Sequence, residues 1–537
     1  MLRLNKESIK NKEPWQNAKI ELPEFDYDKM VANTIKNPTW IHFGAGNIFR
    51  GFPAALQQKL LNLGRADTGI VAVETFDFEI IDRIYRPYDN LSLLVIMNPD
   101  GTLSKKVIGS IGEGLLGDPS YVTDWSRLQE IFMKPCLQMV SFTITEKGYG
   151  LKKLSGEYLD DVLEDMKNGL KLPRHAMSKV AALAYTRYQN GRLPIAFVSM
   201  DNCAHNGEKL HDAIETIVQK WVENGLVESE FLTYINNPDL VTFPWSMIDK
   251  ITPRPSEEVK TALSCSFVST EIVRTKKNTY IAPFVNAEGS QYLVIEDSFP
   301  NGRMPLELAG VIFTDRQTVD QVEKMKVCTC LNPLHTALAV YGCLLDYTLI
   351  ADEMKDSQLQ KLVEKIGYEE GLPVVVNPGV INPGDFIREV IEQRLPNPYI
   401  PDTPQRIASD TSQKVGIRFG ETIRAYQKRG DLDPATLTYI PLAIAGWCRY
   451  LLGLNDQGKM MPLSPDPMLE QLKSYLSGVK LGEPKSVGDS LKPILSNENL
   501  FESNLYEVGL GEKIEGYFKE LIAGNNAVRD TLRKYLG

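Results

Sequence analysis

Residues 40–52 read W-I-H-F-G-A-G-N-I-F-R-G-F. An apolar run breaks into two glycines one residue apart, then an arginine and a third glycine. Residues 40–43 predict a short buried strand and residues 52–63 the helix that follows it, the setting a dinucleotide-binding turn requires. Gly44 permits the tight turn, and Gly46 lets backbone N–H groups approach a pyrophosphate at a helix N-terminus. The third glycine of G-x-G-x-x-G would fall where this chain has Phe49, so the usual fingerprint is broken. A second strand at 70–73 ends in Glu74, 28 residues after Gly46, where an acid accepts the ribose hydroxyls of NAD and repels the phosphate of NADP. On spacing alone the stretch is either a cofactor turn or a plain strand-to-helix turn, and Glu74 either a ribose ligand or a solvated strand-end charge.

Working outward, residues 91–97, 139–145 and 194–199 are short, rich in Val, Ile and Phe, and bounded by turn residues, as buried strands are. Helical periodicity falls between them, at 158–169 and 178–190. Strands alternating with helices predict a mostly parallel sheet covered on both faces. After about residue 305 the character changes, and 319–330, 333–349, 358–369, 385–395, 413–429, 436–454 and 525–536 are periodic at helical spacing. The expectation is an N-terminal α/β, Rossmann-like domain with an N-terminal extension over 1–303 and an all-α domain over 304–537, joined at F-P-N-G-R-M (299–304).

The 537 residues are 43% hydrophobic and 24% charged, the balance of a globular protein. The net charge of −10 is spread without a run of five like charges, which argues against a nucleic-acid partner. The longest apolar run, 439–448, is stopped by Arg449 and holds half of the roughly 20 residues a membrane crossing needs. The first fourteen residues lack an apolar signal core and carry acids, so a cytoplasmic setting and no membrane partner are expected. Seven scattered cysteines form no C-x-x-C, and the five histidines include no H-E-x-x-H; no metal is expected.

A second cluster is K-M-K-V-C-T-C-L-N-P-L-H at 324–335. Asn332 before Pro333 reads as a helix start, the asparagine capping and the proline at the first helical position. Lys326 then precedes the break, with Asn332 and His335 across the first turn beyond it. Carbonyl reduction uses such a set: an ammonium gives a proton to the developing alkoxide, an amide N–H stabilises it, and an imidazole orients a hydroxyl. The same residues also read as a capping asparagine, a partly buried histidine and solvated lysines.

Several segments together resemble the polyol-specific long-chain dehydrogenase/reductase family, which includes mannitol 2-dehydrogenase, fructuronate reductase and tagaturonate reductase. G-A-G-N-I-F-R-G-F resembles that family's nucleotide turn, which itself departs from G-x-G-x-x-G. T-I-T-E-K-G-Y (143–149), S-M-D-N-C-A-H-N-G (199–207), F-P-W-S-M-I-D-K-I-T-P (243–253), Y-L-V-I-E-D-S-F (292–299), N-P-L-H and R-I-A-S-D-T-S-Q-K (406–414) follow in the family's order. The resemblance implies NAD as cofactor, held by Gly44, Gly46, Asn47, Ile48, Phe49, Arg50 and Glu74. It implies Lys326 as general acid in reduction and general base in oxidation, with Asn202 and Asn332 as oxyanion amides and Asn206 as a rival to Asn202. His335 and Arg406 would hold substrate oxygens, Lys414 more distantly, and Asp249 would orient this network or else pair with Lys250.

Two features depart from the family pattern. Lys326 and Asn332 are six apart where the family has five, and one extra residue in a continuous helix turns a side chain by about 100°. A bulge or the break before Pro333 must absorb it; Lys324, eight before Asn332, fits worse. Proline also follows Asn332 where the family has a small residue, and a capping Asn332 would be drawn from the oxyanion role. Chain length and N-P-L-H look more like bacterial D-mannonate oxidoreductases than mannitol enzymes, implying NAD-dependent reduction of fructuronate. Mannitol or another polyol, tagaturonate, or nucleotide sensing without turnover are the alternatives. The partner is then a small sugar acid or polyol.

Overall fold

The computed structural model describes residues 1–153, 155–264, 266–267 and 270–537. It divides into two compact units, residues 1–98 with 102–320, and residues 99–101 with 321–537.

The first unit is built on six parallel strands: β1 (Trp40–Phe43), β2 (Ile70–Glu74), β3 (Ile111–Leu116), β4 (Met139–Phe142), β5 (Ile195–Ser199) and β6 (Val241–Thr242). Their order across the sheet is β3-β2-β1-β4-β5-β6. Two runs of right-to-left and left-to-right winding therefore part between β1 and β4, and ligands of open α/β sheets bind outside the carboxyl ends of the strands at such a point. The strands are apolar on both faces because both are covered. Ile41, Phe43, Val71, Val73, Val140 and Phe142 enter one buried cluster. Their alternates Trp40, Ile70, Ala72 and Met139 enter the other.

Residues 91–97 do form a strand, Ser92–Met97, but not in this sheet. It pairs antiparallel with Leu103–Ile108 and parallel with Phe284–Glu288, while Ile20–Glu21 of the N-terminal extension adds to the far edge of Leu103–Ile108. A third sheet joins Ser246–Asp249, Tyr292–Glu296 and Ile312–Thr314. This last strand is why the units divide after Asp320 rather than at 303/304: the F-P-N-G-R-M turn lies inside the first unit, followed by a strand that still pairs with it.

The second unit is helical, as expected, with a feature that helical periodicity does not report. Four of its helices contain π turns, at Met325–Cys330, Lys365–Gly371, Val390–Arg394 and Gly416–Gly420. A π turn inserts one residue into an α-helix and is frequent at functional sites. The first of these lies in a helical run Arg316–Leu344 of 29 residues that is long and apolar enough to cross a membrane, yet 72% of its apolar window is buried inside the protein. It is the core helix of the second unit: Leu334, Ala337, Leu338, Tyr341 and Leu344 are all fully buried.

Candidate functional site

In the first unit the glycine turn closes β1. Gly44 has φ +103°, a left-handed conformation, and a Cβ there would lie 2.1 Å from the carbonyl oxygen of Thr143 at the end of β4. Only glycine lets β1 and β4 come this close. Gly46 ends the turn ahead of the short helix Asn47–Gly51, and a Cβ on it would meet nothing within 4 Å. The first amide bonded inside that helix is Arg50 N to Gly46 O at 3.2 Å. The amides of Asn47, Ile48 and Phe49 are those that a helix start leaves without an intrahelical acceptor, and they front the open space at Gly46.

The structure corrects the roles of three side chains around it. Phe49 is fully buried and stacks on His42 with ring centroids 4.2 Å apart. The missing third glycine is thus a packing residue, and close approach is supplied instead by Gly51, whose Cβ would stand 3.1 Å from Val285. Arg50 is 1% exposed, its Nη1 donating to Ser92 Oγ and Ala282 O and its Nη2 to Asn47 Oδ1. It braces the turn against the second sheet. Glu74 is 6% exposed, and its carboxylate accepts the backbone N–H groups of Ala45, Thr75, Phe76 and Asp77 at 2.9 to 3.2 Å. Burial holds its pKa above the ordinary carboxylate value, against the opposing pull of the four amides. Three of these donors fall on Oε1 and one, Ala45 N, on Oε2, so Glu74 ties the glycine turn to the end of β2. Glu74→Gln should then cost about 1–3 kcal/mol in chemical denaturation, because its amide would set N–H against N–H. Unchanged stability with a shifted NADH to NADPH preference would support the ribose role.

Beyond β5, Asn206 is 1% exposed and fully engaged, its Nδ2 donating to Asp201 O and Ser246 O while its Oδ1 accepts Ser246 N. Asn202 lies on the exposed turn between them. Of the two asparagines, Asn202 is exposed and Asn206 is buried with its carboxamide engaged. Asp201 escaped notice in the sequence. Its buried carboxylate accepts Ile144 N and Thr145 N, both at 2.9 Å, and Tyr149 OH at 2.6 Å, tying the loop after β4 to the turn that carries Asn202. Thr145 is held there at φ +64°, a costly conformation for a β-branched residue. Asp249 closes the strand Ser246–Asp249 and is 6% exposed. Among the described residues one histidine-carboxylate group, His211, Asp212 and Glu215, has ligand atoms within 4.8 Å of one another; Asn236 bonds both His211 Nε2 and Glu215 Oε1. It carries no assignment.

In the second unit the extra residue between Lys326 and Asn332 is accommodated by the π turn Met325–Cys330. Leu331 N donates to Lys326 O at 3.1 Å, a bond spanning five residues. The insertion is spent inside one widened turn, so the helix resumes at Asn332 without rotating past its register. Lys326 is 3% exposed. Asn332 is not the cap: Leu331 stands at that position and Asn332 is the first helical residue, with Pro333 second. The Asn332 carboxamide makes no hydrogen bond among the described residues, and only its backbone carbonyl is used, by Thr336 Oγ1 at 2.9 Å. The conflict between capping and oxyanion binding does not arise.

One turn on, His335 meets a charged cluster. Its Nε2 is buried without a hydrogen-bond partner, Asp402 Oδ2 standing 3.6 Å away. Burial first, then the cations Arg418, Arg406 and Arg394, lower its pKa to about 4 against the pull of Asp402. The ring is therefore neutral near pH 7, with one nitrogen open to a ligand hydroxyl. Arg406 pairs with Asp402 and is 62% exposed. Lys414 Nζ donates to Ser409 O, and burial ahead of the nearby Arg418 lowers its pKa. Arg418, missed in the sequence, bonds Thr336 Oγ1 at 2.5 Å and is pulled to about 10 by burial, still cationic. Lys326, Arg394 and Arg418 all ride on π turns. The ring signals lost in a His335→Gln variant should titrate in the wild type with a midpoint near pH 4. An unfolded histidine titrates near 6.5, so between about pH 6.5 and 4 the unfolded chain binds more protons than the folded one and this residue makes stability fall as pH falls. A midpoint near 6.5 would contradict the burial.

Comparison with known proteins follows the same division. The Mannitol dehydrogenase Rossmann domain matches residues 38–308 and the Mannitol dehydrogenase C-terminal domain residues 318–521. The chain is 58% identical to the D-mannonate oxidoreductase of Thermotoga maritima, over 100% of this chain and 99% of that one. It is 28% identical to the mannitol 2-dehydrogenase of Neosartorya fischeri, over 100% and 98%. In fold it is similar to Pseudomonas fluorescens mannitol 2-dehydrogenase, solved as a ternary complex with NAD and D-mannitol, with TM-score 0.69 and 24% identity over 100% and 99% of the two chains. The chain belongs to the mannitol dehydrogenase family and is an oxidoreductase of that family.

Proposed function

We propose that this enzyme interconverts D-mannonate and D-fructuronate with NAD, in the cytoplasm. The observation that carries this reading is the 58% identity to a D-mannonate oxidoreductase across the whole of both chains. The cations around His335 support it. A sugar acid brings a carboxylate that a polyol lacks, and guanidinium groups bind carboxylates in paired hydrogen bonds. Arg406, Lys414 and Arg418 are the groups to receive it, with Arg394 adding to the positive field.

NAD, when bound, supplies the hydride acceptor at C4 of its nicotinamide. The backbone amides of Asn47, Ile48 and Phe49, with the opening at Gly46, hold the pyrophosphate. The amine of Lys326 takes the proton from the C–OH group in oxidation and returns it to the alkoxide oxygen in reduction. The Asn332 carboxamide donates to that oxygen while it carries charge. His335 Nε2 accepts from a substrate hydroxyl and so fixes which carbon reacts.

The test is NADH oxidation by purified protein with D-fructuronate, D-tagaturonate and D-fructose in parallel. Fructuronate should be turned over with the highest kcat/KM, and Arg418→Met should raise its KM far more than that of D-fructose. Turnover of fructose with fructuronate inert would overturn the assignment.

A further inference from the structure

Residues 1–37 precede the family match, and part of this extension walls a cavity in the first unit. The cavity measures about 1100 Å³ and is lined by Ala55, Leu56, Gln58, Lys59 and Asn62 of the helix Pro53–Asn62. Five lysines line it, Lys12, Lys19, Lys59, Lys106 and Lys250, against the two acids Glu21 and Glu24. That excess of positive charge stands in a chain of net charge −10. Lys12 and Lys19 have no carboxylate partner among the described residues, and Lys59 Nζ donates only to the carbonyl of Ala309, at 3.3 Å. Lys106 lies 3.6 Å from a Glu21 that is 74% exposed, a solvent-screened pairing of little worth. Lys250 Nζ donates to Glu288 O and Gln291 Oε1. The lining also includes the apolar side chains of Leu22, Pro23, Leu56, Leu94 and Ile96.

We propose that this cavity binds an organic anion of nucleotide size, its phosphate or carboxylate groups held by Lys12, Lys19 and Lys59 and its apolar body laid on Leu56 and Leu94. An inorganic ion would leave most of the volume unfilled, since pockets of roughly 300–1,000 Å³ suit whole organic ligands. Near a surface, ammonium–anion contacts at about 4 Å contribute appreciably only where several act together, and these three lysines line one cavity.

The probe is anilinonaphthalene sulfonate, an anion on an aromatic body, titrated by fluorescence into the full chain with NAD present at saturation so that the glycine turn is filled. Saturable binding is expected, weakened roughly tenfold or more in Lys12→Glu/Lys19→Glu and restored in Lys12→Arg/Lys19→Arg. The same charge change at two exposed lysines elsewhere, Lys428→Glu/Lys492→Glu, should leave it as in the wild type. No saturable binding, or equal affinity in Lys12→Glu/Lys19→Glu, would overturn the site; so would equal weakening by the remote pair.

Discussion

Lys326→Ala should lower turnover of D-fructuronate by about 10²–10⁴-fold, the range contributed by a positioned acid–base group, while NADH binding is retained. The two effects separate because the amine sits on the π turn Met325–Cys330 of the second unit, whereas the pyrophosphate cradle belongs wholly to the first. Lys326 is 3% exposed, so truncation also opens a void. Lys326→Met keeps the volume and removes the amine; the two variants should be equally slow in single-turnover NADH oxidation. Near-wild-type turnover in Lys326→Met would remove the amine from the chemistry. Deleting one residue between Lys326 and Asn332 probes the same geometry, since an α-helical Lys326 with five-residue spacing should retain activity if the π turn serves only to absorb the insertion.

Gly44→Ala should destabilise the first unit and abolish cofactor binding together. A non-glycine residue at φ +103° costs about 1–3 kcal/mol in backbone strain. The new Cβ, 2.1 Å from Thr143 O, adds an overlap worth roughly another 1–3 kcal/mol, because the atom it meets is backbone at the end of β4 and cannot swing aside. Gly46→Ala is the control. Its φ of −79° suits any residue and its Cβ meets nothing within 4 Å, so folding should be unaffected while NADH affinity falls, the methyl occupying space that a pyrophosphate would take. Denaturation midpoints and NADH titrations of both variants check the pair. Equal destabilisation by the two would mean that the opening at Gly46 is not the ligand's.

Much of this was legible in the chain because the signals were local. The strand at 40–43 is as read, and its following helix, Pro53–Asn62, falls within a residue of expectation, since apolar runs bounded by glycine and proline carry their own limits. The glycine at 44 was readable because its backbone geometry excludes other residues, and the one at 46 because an opening at a helix start calls for no side chain. What was not legible depended on partners far along the chain. Arg50 and Phe49 sit in the turn motif, yet their side chains are claimed by Ala282 and His42. Glu74 stands at the right distance for a ribose, and only the fold shows four amides already upon it. The π turns leave no mark in apolar periodicity, because one inserted residue shifts the pattern no more than a short loop would. The six-residue spacing from Lys326 to Asn332 was their single trace. Arg418, four residues after Lys414, was visible as the next cation in sequence, but nothing there told it apart from the other surface arginines.

The most direct measurement is a crystal structure of the enzyme with NAD and D-mannonate. The account predicts the carbinol oxygen of the substrate within about 3.2 Å of Lys326 Nζ, with the Asn332 carboxamide donating to the same oxygen and the sugar carboxylate on the Arg406, Lys414 and Arg418 side chains. A bound mannonate whose reacting oxygen is out of hydrogen-bonding reach of Lys326 would contradict it.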